Sequence, residues 1–250
     1  MSEPPLYDEI GPGYPATRRE DPRIAAAIEE ALGDARTVVN VGAGTGNYEP
    51  RERDVTAAEP SAAMIAQRPP GAAPCVRAAA EDLPFGDGAF DAAMAVMTIH
   101  HWRDVGRGLA ELRRVARDSV VVFTWDPALA GTLWLAAEYL PEFAALETMR
   151  FPPPGEIADA LGGGDVRAVP IPADCRDGFI EAFWARPEAY LDPAVRAGMS
   201  GMAALDPDVV QRGITRLRAD LDSGAWDRRH GHLRERESLE LGYRLVVARR

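Results

Sequence analysis

The run Thr37-Val38-Val39-Asn40-Val41 breaks off into Gly42-Ala43-Gly44-Thr45-Gly46. Consecutive β-branched apolar residues make a strand buried on both faces, as in a parallel sheet flanked by helices. Glycines directly after such a strand let the chain turn sharply and bring backbone N–H groups close to a ligand. The feature commits the chain to a doubly wound α/β fold with a ligand at the carboxyl end of its first strand. The spacing is G-x-G-x-G, neither the G-x-G-x-x-G of dinucleotide folds nor the G-x-x-x-x-G-K-[ST] of phosphate loops, and no lysine follows. An NAD(P)-dependent oxidoreductase is therefore the weaker alternative, and ATP binding weaker still.

The 250 residues suffice for one large domain with an elaboration, and 46% of them are apolar. The sequence holds no apolar run of the roughly 18 residues that a membrane span needs. Met1–Ile10 carries acids and prolines rather than a basic then apolar leader, so a cytoplasmic protein is expected. A net charge of -11 argues against broad contact with nucleic acid or anionic membrane, since phosphate selects for basic surface. All 28 basic residues are arginine, which with abundant Ala, Gly and Pro suits a GC-rich bacterial coding sequence. Cys75 and Cys175 are too few for a disulfide framework or a cysteine metal site.

In chain order, Asp21-Pro22 caps a helix through Leu32 that stops at Gly33. A short helix is expected over Asn47–Arg53 and a second strand over Val55–Ala58, ending at Glu59. An acid there accepts hydrogen bonds from both ribose hydroxyls of a nucleoside, the logic that dinucleotide folds apply about 20 residues after their glycines. Ser61 caps helix 62–67, and Cys75–Ala78 is a weak third strand. The fourth strand, Asp91–Thr98, runs into His100-His101-Trp102 at the mouth of the site, with Met97 as an apolar wall. His101 has a side chain suited to proton removal near neutrality. The histidine pair lacks the cysteine or carboxylate neighbours of a metal site, and no metal is expected. Helix 103–116 and a fifth strand, Ser119–Thr124, follow. Helical segments over 127–165, a sixth strand at Val166–Ile171 and a last one at Gly242–Ala248 complete the pattern, with 70 residues, 172–241, between those two strands. Segments 127–165 and 172–241 read as a helical cap over the strand ends.

The glycine loop, Ala58-Glu59-Pro60-Ser61 and Ala80-Glu81-Asp82-Leu83-Pro84-Phe85-Gly86-Asp87-Gly88-Ala89-Phe90-Asp91 together resemble the class I S-adenosylmethionine (SAM)-dependent methyltransferases, the last stretch matching the A-E-x-L-P-F-x-D-x-x-F-D signature of their ubiquinone/menaquinone-type members. The resemblance covers roughly residues 1–125. It implies a seven-stranded Rossmann-like sheet in the order 3-2-1-4-5-7-6, the last strand antiparallel. It places SAM against Gly42, Ala43, Gly44, Thr45 and Gly46, its ribose on Glu59 beside Pro60, and its adenine near Ala80 and Glu81. Relatives carry an aspartate where this chain has Ala79. Many also open with a Tyr-x-x-x-Arg segment, here Tyr14 and Arg18 in a lid over 1–20, so Arg18 is expected on the SAM carboxylate and Tyr14 over the methionine moiety. A small-molecule methyl acceptor is expected, with S-adenosylhomocysteine (SAH) as product, and the sequence leaves open whether the protein forms a homodimer. A SAM- or SAH-binding protein without transferase activity is the competing reading.

Overall fold

The computed structural model describes residues 18–250. Helix α1, Pro22–Leu32, begins where the Asp21 carboxylate accepts the Arg23 amide and ends at Gly33, whose φ of +57° breaks the helical path. Ile24, Ile28 and Leu32, spaced four apart, form one stripe, each side chain 1% exposed, and burial of each contributes about 1.5–3 kcal/mol. Strands β1 (Thr37–Val41), β2 (Asp54–Ala58), β3 (Cys75–Val76), β4 (Phe90–Val96) and β5 (Ala116–Trp125) are parallel in the order 3-2-1-4-5. Between them lie α2 (Ala62–Ala66), capped by the Ser61 hydroxyl, and α3 (Val105–Val115), capped by Asp104.

Beyond β5 come α4 (Pro141–Arg150), α5 (Pro154–Ala160) and strands β6 (Asp165–Ala168) and β7 (Ile171–Pro172). The 70-residue insert holds 3-10 turns, helices α6 (Pro193–Ala197), α7 (Ser200–Ala203), α8 (Pro207–Asp222) and α9 (Ala225–His230) and strand β8 (Ser238–Leu239), and strand β9 (Tyr243–Arg249) follows it. Strand β9 inserts antiparallel between β5 and β6, which completes the seven-stranded order expected from the sequence.

Alternation along the strands divides the core. Val38, Met94, Val121, Phe123 and Leu245 face α1 and the aromatic interior of the later helical segments. Val39, Ala93, Val122 and Val246 face α3 and α5. In the aromatic interior Trp134, Trp184, Tyr190 and Trp226 are buried, and Trp134 meets Tyr190 and Trp226 edge-on at 5.5 and 5.2 Å. Phe85 and Phe90 meet edge to face at 5.0 Å, both partly buried against the cluster that faces α3 and α5.

Three expectations need correction. Residues 47–53 form turns, not a helix. Tyr48 takes φ +63°, Pro50 has no amide hydrogen, and Glu49 turns inward to Arg68. The expected sixth strand is two pieces: its register with β9 runs to Ala168, with the Val169 amide still bonding the Tyr243 carbonyl at 2.9 Å, and Ile171–Pro172 then joins Ser238–Leu239 in a separate two-stranded sheet. Within 131–140 the chain makes one π turn, Leu135–Tyr139, closed by the Leu140 amide on the Leu135 carbonyl at 2.8 Å.

A buried network stitches the start of α1 to the insert. Asp177, 1% exposed, accepts from Arg18 Nε at 2.7 Å and from the Tyr48 hydroxyl at 2.9 Å, and Tyr48 in turn takes the Asp21 amide at 3.3 Å. Burial works against ionised Asp21, but hydrogen bonds from the Arg23 side chain and the Arg176 backbone overcome it and hold its pKa at about 2. Asp177→Asn keeps the shape but discards the charge that Arg18 pairs with. It is expected to cost about 1.5–3 kcal/mol of unfolding free energy in urea titration.

Candidate functional site

A cavity of about 670 Å³ lies outside the carboxyl ends of β1, β2 and β4, within the usual range of roughly 300–1,000 Å³ for a ligand pocket. Sheet order reverses between β1 and β4, so this is the switch point at which open α/β sheets bind ligands. Gly42, Ala43, Gly44 and Thr45 line it from β1, Glu59 and Pro60 from β2, Met97 and His101 from β4, and Ala80 and Glu81 from the loop before β4. Arg18 contributes from the N-terminal side. Tyr14 lies outside the described residues. Gly46 does not line the cavity: its amide closes the turn on the Ala43 carbonyl, and its α-carbon backs onto Glu49 and Arg68.

The glycine loop works differently from the expected ring of donated amides. The Gly42 and Ala43 amides both bond the Ala58 carbonyl, at 2.8 and 3.2 Å, and the Gly44 amide bonds Glu59 Oε2 at 2.8 Å. No helix starts at the loop; the next helix is α2. The loop thus offers space rather than an anion cradle. Gly42, at φ +69°, lies where a Cβ would come within 2.8 Å of the Thr98 Cβ and Cγ2 atoms.

Glu59, 6% exposed, takes the Gly44 amide on one oxygen and the Ser61 amide on the other, at 2.8 and 2.9 Å. Each carboxylate oxygen has a second lone pair, so this bracing leaves capacity for ligand hydroxyls. Glu81 Oε1 accepts the Arg103 and Asp104 amides, at 2.7 and 3.1 Å, just ahead of α3. Arg18 uses Nε and Nη2 on Asp177. Met97 holds φ +49°, a left-handed conformation costly for an unbranched side chain, at the tip of β4.

Several positions at and beneath the cavity escape sequence reasoning. Arg68 and Glu49, with side chains only 6% and 8% exposed, pair at 2.7 Å beneath the glycine loop, and Arg68 also donates to the Gly44 carbonyl at 3.1 Å. Asn40 lines the cavity with Oδ1 buried and unpartnered among the described residues, while its amide donates to Glu49 at 3.3 Å. That orphaned acceptor suits an ammonium or hydroxyl donor on a ligand.

The expected general base fares poorly. His101 Nδ1 lies 3.4 Å from Arg150 Nη2, and burial, then the Arg150 cation, push its pKa down to about 3. Such a ring stays neutral near pH 7 and holds an abstracted proton weakly. Trp102 packs its ring against Gly108 of α3.

A second carboxylate behaves oppositely. Glu181 takes a 2.6 Å hydrogen bond from the Tyr243 hydroxyl, and burial pushes its pKa up to about 7 against that bond. Because the folded state binds this proton more tightly, the stability it contributes is full below about pH 4.5 and is lost as pH rises through about 7. Removing the ionisation with Glu181→Gln is expected to stabilise the protein at pH 8 relative to pH 5 by a few kcal/mol beyond the wild-type trend, read from urea titrations at both pH values. Cys175 is a buried thiol with its pKa raised by desolvation to about 12, not a nucleophile.

Among the described residues no cluster of three or more His, Cys, Asp or Glu could hold a metal ion, and no helix is long and apolar enough to cross a membrane. Residues 39–124 match the methyltransferase domain family. Over 93% of its length the chain superposes with a TM-score of 0.86, at 32% identity, on 98% of a candidate methyltransferase from an antibiotic biosynthesis pathway of Anabaena variabilis. It also matches geranyl diphosphate C-methyltransferase of Streptomyces coelicolor, solved with Mg²⁺, geranyl diphosphate and SAH, with a TM-score of 0.52 at 16% identity over 91% of this chain and 76% of that one, a likeness of fold. Among curated sequences, YafE of Escherichia coli, an uncharacterised protein, is 47% identical over 60 residues, a stretch that spans 22% of this chain and 29% of YafE.

Proposed function

The chain belongs to the class I SAM-dependent methyltransferases, and on that premise we propose that it methylates a small molecule held between the strand ends and the helical segments 127–165 and 172–241. The observation that carries the reading is the glycine loop with its amides turned inward and no helix behind it. A pyrophosphate calls for a helix N-terminus and outward amides. SAM has no phosphate and needs close approach instead, so the residues fit it.

In this reading Gly42, Ala43, Gly44 and Thr45 pass under the nucleoside and Glu59, beside Pro60, takes its ribose hydroxyls. Ala80 and Glu81 border the adenine. Asn40 Oδ1 accepts from the amino group, Arg18 faces the carboxylate from its anchor on Asp177, and Met97 walls the sulfonium side. SAM supplies a methyl on a cationic sulfur that a nucleophile can displace in line. The chain's own contribution is to orient the acceptor and exclude water. His101 serves as a neutral wall rather than as a proton acceptor. The cap follows from the same reading, with Arg18, Tyr48 and Asp177 coupling the N-terminal side to the insert; the lid expected over 1–20 lies, up to residue 17, outside the described residues.

Calorimetry with SAH tests the site, and transfer of label from methyl-labelled SAM to metabolites of a cell extract tests the activity. Binding of SAH with no labelled product in any small-molecule fraction would leave a binding protein instead of an enzyme.

A further inference from the structure

A second, smaller cavity of about 60 Å³ shares Arg18 and Met97 with the large one. It admits roughly four to six water-sized spheres, enough for a reacting group and a few atoms around it. Its walls join both parts of the molecule: Trp125 and Tyr243 from the strand ends, Phe143 and Phe151 from α4 and its exit, Phe179 from the insert. Two carboxylates sit in this aromatic surround. Glu147 is paired with Arg150 at 3.1 Å. Glu181, 5% exposed, has the Tyr243 hydroxyl as its side-chain partner and no basic side chain in hydrogen-bond contact among the described residues. His100 also lines the cavity, stacked on Phe151 at 4.0 Å, with Nδ1 buried and unpartnered among the described residues.

A buried carboxylate with no cation in hydrogen-bond contact is relieved either by a proton or by a cation that arrives as ligand. We propose that this cavity is the acceptor site and that it takes a small amine, bound to Glu181 as the ammonium and deprotonated there. The inference rests on the methyltransferase reading above. Two carboxylates repel an anionic acceptor, and aromatic faces attract a cation. His100 Nδ1 offers a second acceptor for an amine N–H. The step balances as follows. Glu181 takes one proton from the ammonium, and the freed nitrogen lone pair forms the N–C bond to the methyl carbon while the C–S pair returns to sulfur. The product leaves as the methylated ammonium, and Glu181 releases its proton to solvent. Tyr243 is a positioning residue that fixes the carboxylate.

Groups acting on Glu181 come from several sides, Glu147 on α4, Arg18 from the N-terminal side, Tyr243 on β9 and Tyr190 in the insert, and the neutral His100 beyond β4 lines the same cavity. Glu147 opposes ionisation and Arg18 favours it.

The test uses full-length protein saturated with SAH and a panel of small primary amines, each matched to the alcohol and the carboxylate of its skeleton; 2-phenylethylamine, 2-phenylethanol and 3-phenylpropanoate make one such trio. Calorimetry is expected to show amines bound at least tenfold tighter than their alcohols, with carboxylates unbound. Glu181→Gln is expected to lose that preference while its SAH affinity stays unchanged, and Tyr243→Phe to weaken kcat more than amine binding. With labelled SAM, the alkaline-going rise of kcat/KM that follows Glu181 ionisation is expected in the wild type and absent from Glu181→Gln. Tighter binding of alcohols or carboxylates, no bound amine in the panel, or a Glu181→Gln protein that keeps the amine preference overturns the proposal while the SAM site stands. Failure to bind SAH overturns both.

Discussion

Valine at position 42 is expected to abolish SAH binding and to cost about 2–5 kcal/mol of stability, combining overpacking with a side chain forced into a left-handed backbone. The cause is local. Gly42 sits at φ +69°, and a Cβ there runs into the side chain of Thr98, just beyond β4 and lining the cavity. A β-branched residue tolerates that φ worst, and its methyl groups would occupy the floor over which a nucleoside must pass. Gly44 is the instructive contrast. At φ +52° its added Cβ would meet only the Met64 Cε atom, at 3.3 Å, and a methionine terminus can swing away. Gly44→Ala is therefore expected to lose only about 1–2 kcal/mol, from the backbone alone. Urea unfolding and SAH titration of Gly42→Ala beside Gly44→Ala separate the effects of position, and Thr98→Ala in the Gly42→Ala background should recover part of the loss. Equal behaviour of positions 42 and 44 would remove the steric account of the loop.

The contrast also marks what could be read without coordinates. The glycine spacing identified a close-approach loop and the apolar β-branched runs identified buried parallel strands, while the order of those strands came from the resemblance to the methyltransferases. The direction of the loop amides was not legible. Glycine permits the turn but does not say whether its N–H groups face a ligand or, as here, the Ala58 carbonyl and Glu59. The helix expected at Asn47–Arg53 failed for a related reason. Glu49 looks like an ordinary first-turn acid until Arg68, 19 residues on, is seen to draw it inside. Pairs such as Arg18–Asp177 and Glu181–Tyr243 span 159 and 62 residues, and nothing in local composition announces them. His101 was visible as a histidine at a strand mouth, but its environment was not. A neighbouring arginine and burial turn a side chain of suitable intrinsic pKa into one that is neutral near pH 7, and only the fold brings Arg150 there.

Glu59 was legible as an acid at the end of β2, and the structure raises the expected cost of losing it. Its carboxylate holds the loop from below, through the Gly44 amide, and the start of the next turn, through the Ser61 amide. In the proposed complex the same two oxygens accept both ribose hydroxyls. Glu59→Ala therefore removes two charge-assisted bonds to the ligand, about 3–6 kcal/mol, and frees the Gly44 amide so that the loop can leave its bound shape. The expected result is SAH affinity lower by about 10² to 10⁴-fold in calorimetry. Glu59→Gln sharpens the test. It keeps one carbonyl acceptor but presents a donor where the second oxygen stood, so a backbone N–H or a hydroxyl oriented to donate loses its partner. It should fall between wild type and Glu59→Ala. If the glutamine variant binds SAH as wild type does, the carboxylate braces the loop alone and the ribose is held elsewhere. If it binds as weakly as alanine, the charge rather than the shape is what the nucleoside reads.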